Sequence, residues 1–373
     1  MHLRGVEADV YEQASQLREV GAAVALSANG TRLLRRLGLG SELAECSVVP
    51  TELIHRHWRD GHRITAHAVG TRYEELFGAP YYGVHRADLQ SLLVAACGHE
   101  RVHLGRRLTD VNASADGVEL TFSDGHVTRA DVVVGADGVH STVRGWVTGE
   151  DTAAYSATSG FRGLVPAEQL TLLPDPGAIQ FWMGPGGHLL HYPIGNGETI
   201  NFLAVVDGPR TWPANGWMVP TTHEEIGEAF TGWHPAVVQL VSATSLHQRW
   251  ALFGQSPSNR WSRGRITLLG DAVHAMLPHH GQGANQTIED AVTLADCLAS
   301  SEEDTAALWR YETLRRARTR QVQRSSWGTS DALHLPDGPA AARHDRDLAD
   351  LPNTLHWIHA HDAEALSPTP RHG

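Results

Sequence analysis

The sequence contains no lysine; all 30 of its basic residues are arginine. A nucleotide-binding P-loop needs a lysine on the phosphates, and Schiff-base chemistry needs a lysine amine, so both are excluded. Cysteine is scarce: Cys46, Cys97 and Cys297 are far apart and odd in number. That pattern fits neither a disulfide framework nor a zinc site and predicts reduced thiols in a cytoplasm. Long apolar runs are missing, so no segment is expected to span a membrane. Met1-His2-Leu3-Arg4-Gly5 opens the chain without an apolar signal core, so export is not expected. Positive charge is in deficit. Against 42 acidic residues the net charge is −12, which disfavours nonspecific binding to nucleic acid, a process that rests on neutralising phosphates.

What is present is ordinary globular material, 41% apolar over 373 residues and long enough for two domains. The most informative stretch begins at Arg265. Ile266 to Leu269 reads as a short buried strand, Gly270 permits a sharp exit, and Asp271 stands at its carboxyl end, the edge at which open α/β sheets bind ligands. A loop with Pro278, Gly281 and Gly283 follows. Ala284, Ile288, Ala291, Val292, Ala295 and Leu298 then recur at helical spacing, with Asn285, Glu289 and Asp290 on other faces. A glycine-flanked loop feeding a helix N-terminus makes an electropositive pocket from unpaired N–H groups and the helix dipole.

The run from Gly270-Asp271-Ala272-Val273-His274-Ala275-Met276-Leu277-Pro278 through Gly281-Gln282-Gly283-Ala284-Asn285-Gln286 to Ile288-Glu289-Asp290-Ala291 resembles the second FAD motif of single-component aromatic hydroxylases, in their salicylate hydroxylase-like branch. Gly135-Ala136-Asp137-Gly138-Val139-His140-Ser141-Thr142-Val143-Arg144 is similar to the family's internal Asp-Gly motif. His85-Arg86-Ala87-Asp88-Leu89-Gln90 matches the segment whose arginine and glutamine serve the FAD phosphates and ribityl chain. The resemblance covers essentially the whole chain. It implies an α/β fold of two domains, a Rossmann-like FAD-binding domain interrupted by a β-sheet substrate domain, as in p-hydroxybenzoate hydroxylase. The expected parts are a discontinuous FAD domain over 1–154 and 262–330, a β-rich domain over 155–261, and a helical tail over 331–373. Flavin halogenases, which rely on a lysine by the same family logic, are excluded.

One part of the family pattern has no counterpart. Val6, Ala8 and Val10 alternate as a strand ending in Glu12, and the resemblance gives such an acid the adenosine ribose, helped by Arg18-Glu19-Val20-Gly21-Ala22 downstream. The glycine fingerprint lies about 20 residues before that acid in dinucleotide folds, and only eleven residues precede Glu12. Two expectations follow: a start codon upstream of the one given, or weak FAD binding.

Glu52 to Ala68 reads as a hairpin turning at Asp60-Gly61, with His55, His57, His62 and His67 outward and solvated, and no metal is expected. Later strands include His188 to Pro193, in which His188, Leu190 and Tyr192 face one way and Leu189 and His191 the other. One of those faces should line the substrate pocket. Candidates for a general base are His191, Tyr192, His279 and His280, with water equally open. In the 6-hydroxynicotinate hydroxylase group a histidine occupies the position of Ala25 and a tyrosine that of Asn201, so that substrate is disfavoured. The basic stretch Ala306 to Ser325 reads as a helix with a solvated face packed on the FAD domain.

The resemblance assigns cofactor contacts to Glu12, Arg86, Gln90, Asp137, Asp271, Pro278, Gly281, Gly283, Ala284 and Asn285. The implied reaction hydroxylates a small aromatic acid or phenol with NADH or NADPH and O2, through a hydroperoxide at flavin C4a. The chain is expected to be a monomer or homodimer with no nucleic-acid or membrane partner. A larger natural-product substrate, or a truncated relic without catalysis, are the alternatives.

Overall fold

The computed structural model describes residues 1–17, 23–150, 153–214, 216–245 and 248–366. Residues 18–22, which carry part of the Glu12 motif, and the end of the tail from 367 lie outside the described residues.

The largest element is an eight-stranded sheet. Its spatial order is Met218–Pro220, Gln248–Gln255, Ala153–Pro166, Thr199–Asp207, Gly187–Ile194, Ile179–Gly184, Glu52–His57 and Arg63–Ala68. All neighbours pair antiparallel except Glu52–His57, which runs parallel to Ile179–Gly184 with Leu53 opposite Ile179. The hairpin 52–68 therefore belongs to the second sheet, and the expected boundary that left everything before 155 in the first domain is corrected. His55 is corrected with it. It is buried and stacked on Phe181, its register partner on the parallel neighbour, at 5.2 Å between ring centroids, a contact that a free hairpin would lack.

The two faces of this sheet bury different partners. Phe161, Trp182, Leu189, Phe202 and Ala204 pack against Ile226, Phe230, Trp233, Val237 and Leu240 of helices His223–Ala229 and Pro235–Ser242. Thr222 closes the first of these helices in a capping box with Glu225. On the opposite face Ile179, Phe181, Met183 and Tyr192 meet Ala28, Tyr73 and Tyr81 of the first domain. Fully burying side chains of this size is worth roughly 1.5–3 kcal/mol each.

Beside the antiparallel sheet of Leu108–Ser114, Gly117–Phe122 and Val127–Ala130, the first domain is built around three small sheets. Val133–Gly135 runs parallel to Ile266–Leu268, which Ser262–Arg263 flanks; Ala23–Leu26, Tyr82–His85 and Ser47–Val48 form a second; Val10–Tyr11 pairs in parallel with Val102–His103. Among the described residues the ladders of Val10–Tyr11 and Val133–Gly135 each have a partner on one side only. Helices Gly283–Ala299 and Asp304–Leu333 cover this domain, with Trp261, Leu268, Leu294, Leu308 and Tyr311 in its core. The basic helix expected to Ser325 continues to Leu333, since nothing from Ser326 to Ala332 breaks it. Among the described residues no helix is long and apolar enough to cross a membrane.

The domains touch where a glycine removes the obstacle. A Cβ on Gly83 would stand 2.8 Å from the Pro193 carbonyl oxygen and 3.0 Å from the Tyr192 ring. Gly83→Ala should therefore cost about 1–3 kcal/mol through overpacking. Gly145, inside helix Thr142–Thr148, has nothing within 4 Å of its added Cβ, and Gly145→Ala should stabilise by about 0.4–1 kcal/mol. Urea denaturation midpoints of the two variants, moving in opposite directions, check this reading.

Candidate active site

The strand Ile266–Leu268 delivers the chain to Gly270 at φ 62° and ψ −140°, a conformation that favours glycine. A Cβ there would also meet the Thr287 hydroxyl at 2.8 Å. The turn sets Asp271 at the start of a single helical turn, Asp271–His274. The chain then passes Leu277, makes a short turn at Pro278–His280, reverses at Gly281 (φ 61°) and enters helix Gly283–Ala299. Among the described residues no side chain caps that helix, so its first N–H groups remain available. Asp271 lies within 3.9 Å of the Cβ position of Gly283. Its carboxylate is solvent-accessible at the floor of a recess, yet the surrounding protein desolvates it and raises its pKa, against the pull of His274 and Arg86.

Arg86 reaches this recess from helix Arg86–Cys97, whose N-cap His85 accepts the Ala87 N–H through its ring nitrogen. Ala284 packs with Leu89 and Leu92 of the same helix, so the two N-termini converge with Arg86 exposed and Gln90 half-buried beside them. Pro278, Gly281, Gly283 and Ala284 are half-exposed along the rim. A cation, two helix N-termini and a desolvated carboxylate form a set that fits a flavin dinucleotide: positive potential for its phosphates and pyrimidine edge, and an acceptor for ribityl hydroxyls.

Two of the residues expected at the cofactor also have partners within the chain. Asn285 is fully buried, with Oδ1 accepting the Ser27 N–H at 3.0 Å and Nδ2 donating to the Ala25 and Gly281 carbonyls at 3.0 and 2.8 Å. Its amide clamps the loop to the first domain. The Asp137 carboxylate accepts the Ser141 hydroxyl and the Val143 N–H at 3.1 Å, capping helix Thr142–Thr148. Buried Arg144 then donates to the Val139 and Ala272 carbonyls at 2.7 and 2.9 Å and ties the two Asp-containing motifs together. Glu12 ends the strand Val10–Tyr11, where its side chain accepts the Ala14 N–H at 2.7 Å.

Of the proposed bases, His191 shares its strand face with Leu189, toward the helix layer, so the sheet separates it from the Pro278 turn. Burial pushes its imidazole down to about 3. Tyr192 lies on the other face, beside Asn201 and Leu190. His280 is tethered to the long helix by Ser325 and Thr329 at 2.9 and 3.1 Å. His279 is buried above the sheet and, among the described residues, neither ring nitrogen meets a partner; burial lowers its pKa to about 3. Leu277, next to Pro278, packs on Val205, Leu252 and Leu203 of the sheet. On this face Arg162 lies with its guanidinium 4.3 Å above the Trp250 ring, and its charge acts on the Tyr192 phenol.

Sequence spacing missed three groups. His57 and His62 both turn Nδ1 to Asp60 Oδ1, at 3.1 and 2.7 Å, across the hairpin turn. Arg162 gave no signal as a lone strand arginine. The third is the ion network under the recess. Arg315 donates to Glu289 at 2.5 Å and to Asp290 at 2.7 Å; Arg318 donates to both oxygens of Glu289; His274 Nε2 meets Asp290 at 2.5 Å. Both acids are fully buried, and Arg315 lies with them on the packed face of a helix whose other face, from Trp309 to Arg324, is exposed. The clue lay in spacing: Arg315 falls on the stripe of Leu308, Tyr311 and Val322.

Comparison with known proteins agrees with the geometry. The family described as FAD binding domain matches residues 1–326. A 3-amino-4-hydroxybenzoate 2-monooxygenase from Streptomyces cremeus is 40% identical, covering 98% of this chain and 93% of its own. A salicylate hydroxylase from Pseudomonas putida is 32% identical over 96% of this chain and 88% of its own. Among solved structures, Klebsiella pneumoniae HpxO complexed with FAD and uric acid superposes with a TM-score of 0.83 at 27% identity, covering 94% of this chain and 88% of that one.

The ion network predicts an acid-sensitive fold. Burial raises the Glu289 pKa more than any single neighbour lowers it, but Arg315 and Arg318 together hold it at about 2. The stability it contributes is complete above its ordinary value of 4.5 and is lost as pH falls toward 2. The buried histidines act earlier. His191 and His279, depressed from 6.5 to about 3, withhold protons that the unfolded chain accepts, so stability already declines below pH 6.5. Urea midpoints should fall steadily from pH 7 to pH 4. Glu289→Gln should lower stability at pH 7 by about 3–5 kcal/mol, since it removes the carboxylate of Arg318 and one of the two that Arg315 pairs with.

Proposed function

The chain belongs to the FAD binding domain family and is an FAD-dependent monooxygenase of aromatic substrates, and we propose that its own substrate is a small aromatic acid bearing a ring hydroxyl. The observation that carries this reading is Arg162, a guanidinium stacked on Trp250 on the sheet face that looks toward the Pro278 turn. A planar, permanently charged donor on an aromatic plate suits a carboxylate attached to a flat ring. Leu190, Leu203 and Leu252 supply apolar surface around it, while Tyr192 and Asn201 supply polar edges. An apolar cleft with a few placed polar groups is the usual form of a small-molecule site. The names of the relatives, an aminohydroxybenzoate monooxygenase and a salicylate hydroxylase, point to the same class.

Bound FAD, reduced by NADH or NADPH, supplies activated oxygen from O2, one atom entering the ring and the other leaving as water. The chain's residues do the rest. Asp271 accepts hydrogen bonds from the ribityl hydroxyls. Arg86 and the start of helix Arg86–Cys97 offset phosphate charge, and the opening of helix Gly283–Ala299 offsets charge that develops on the flavin pyrimidine. Pro278 and Leu277 close the recess over the sheet and exclude water. The hydroxyl proton leaves at the Pro278 turn, where the ring nitrogens of buried His279 meet no hydrogen-bond partner among the described residues.

The FAD-loaded protein should oxidise NADH or NADPH faster when salicylate, a hydroxybenzoate or 3-amino-4-hydroxybenzoate is added, with a hydroxylated product by chromatography. Failure of every such acid to stimulate oxidation would refute the substrate class. Arg162→Ala should raise KM for the acids by roughly 10–100-fold, the loss of one charge-assisted hydrogen-bonded pair, and leave the KM of a neutral phenol nearly unchanged. Asp271→Ala should weaken FAD binding by at least about 10-fold, read from quenching of flavin fluorescence.

A further inference from the structure

We propose that His57, Asp60 and His62 bind one divalent transition-metal ion of the zinc class at the turn of the first hairpin, with Asp337 as the group that orients His57 on it. None of these residues belongs to the cofactor or substrate groups assigned above, so the proposal stands apart from that reading.

The turn that carries the three donors is fixed by its backbone. His57 ends the strand Glu52–His57, and the next strand opens at Arg63. Gly61 N–H donates to the His57 carbonyl and His57 N–H to the His62 carbonyl, both at 3.1 Å. Buried Arg56 donates to the Gly61 carbonyl at 2.7 Å. Gly61 takes φ 70° and seats against the His234 and Trp182 rings, which an added Cβ would meet at 2.9 and 3.1 Å. The donors are therefore placed before any ligand arrives, as a metal site requires.

Their spacing suits a small ion. His57 Nδ1 and His62 Nδ1 stand 3.1 and 2.7 Å from the same oxygen, Asp60 Oδ1, and the three atoms all lie within 4.8 Å of one another. A tetrahedral zinc ion with bonds of about 2.0–2.1 Å holds its ligand atoms about 3.3 Å apart, so small side-chain movements admit it. The two rings are stacked, with centroids 5.0 Å apart. Two imidazoles and a carboxylate, without a thiolate, suit zinc, copper or nickel rather than calcium or magnesium. Side-chain exposures of 23% for His57, 57% for His62 and 62% for Asp60 leave the remaining position to water.

A second observation comes from the far side of His57, where Nε2 stands 3.2 Å from Asp337 Oδ1. Carboxylate oxygens thus face both ring nitrogens, and a neutral imidazole has one N–H for the two. An ion at Nδ1 removes the conflict: the lone pair goes to the ion, and the one hydrogen, on Nε2, goes to Asp337. A ligand histidine whose other N–H is held by a carboxylate is the usual arrangement around zinc. The Trp58 indole N–H in turn holds Asp337 at 3.1 Å. Asp345 lines the same recess as His57 and Asp337, within electrostatic reach of both rings, and adds negative charge. The chain has 30 arginines, yet among the described residues none pairs with Asp60; its partners are the two imidazoles and the His62 N–H. On binding, each neutral ring shifts its hydrogen from Nδ1 to Nε2, with no net release of protons. A proton on His57 would also satisfy both carboxylates, and the experiment separates the two cases.

The FAD-loaded full chain, first freed of metal by a chelator, is titrated with ZnCl2 by calorimetry near neutral pH and with CoCl2 by absorption. Wild-type protein should take up one equivalent of zinc at micromolar concentration, and cobalt should give the strong visible bands of a four-coordinate ion. His57→Gln, His62→Gln and Asp60→Asn should each abolish uptake at that concentration, while His2→Gln, at an exposed histidine elsewhere, should bind as wild type does. Asp337→Asn keeps an acceptor oxygen but loses the charge, so it should weaken binding by about 10–100-fold and leave the cobalt spectrum unchanged. Absence of saturable uptake by wild type would overturn the proposal and leave His57 an imidazolium between two carboxylates. One equivalent retained by all three ligand variants would also overturn it, placing the ion among others of the 24 histidines. Only the weak bands of six-coordinate cobalt would contradict it as well. If another variant loses its cooperative melt, His62→Gln decides, because that side chain is more than half exposed.

Discussion

Two buried acids on one helix, Glu289 and Asp290, hold the cofactor side of the molecule together. Glu289 binds Arg315 and Arg318 from the long helix and also accepts from Asn29 at 2.7 Å, so it joins helix Gly283–Ala299 to helix Ala28–Leu34 as well. Asp290 binds Arg315 and His274 and accepts the Gly270 N–H at 3.0 Å, which fixes the turn that aims Asp271. Charges taken out of water at such density are costly unless every lone pair is met. Here the carboxylates are met from four directions, and the gain is geometric. The Gly270 turn, the uncapped helix start and the loop between them become one rigid body whose open side faces the recess.

The second constraint is the division of labour between the faces of the large sheet. One face is sealed by two short helices and consists of ordinary core. The other carries Arg162, Trp250, Tyr192, Asn201 and His188 toward the first domain. A strand alternates faces at every residue, so a single shift of register would exchange His188 and Tyr192 for Leu189 and His191. Parallel pairing of Glu52–His57 with Ile179–Gly184 brings the early hairpin into this sheet and joins the two domains along their length.

Much of the cofactor side was legible in the sequence because its determinants are local. Gly270, Asp271, Pro278 and Gly283 lie within one turn, and short-range rules about strand exits and helix starts place them. What could not be read was long-range. The side-chain partners of Asn285, Ala25 and Ser27, are some 260 residues away. Arg315 looked solvated because arginines usually are, and only the tertiary fold supplies Glu289 and Asp290. His55 looked outward because its covering strand arrives more than a hundred residues later. His188 and His191 were undecided for the same reason: alternation says that they face opposite ways, but only packing says which face is the site.

The account as a whole claims that this chain transfers one atom of dioxygen to an aromatic ring. The most direct measurement incubates the FAD-loaded protein with salicylate or a hydroxybenzoate, NADH or NADPH, and isotopically labelled dioxygen, and analyses the product by mass spectrometry. The account predicts a single labelled oxygen atom in the new ring hydroxyl, with none from water. Label absent from the product while the nicotinamide is consumed would contradict it.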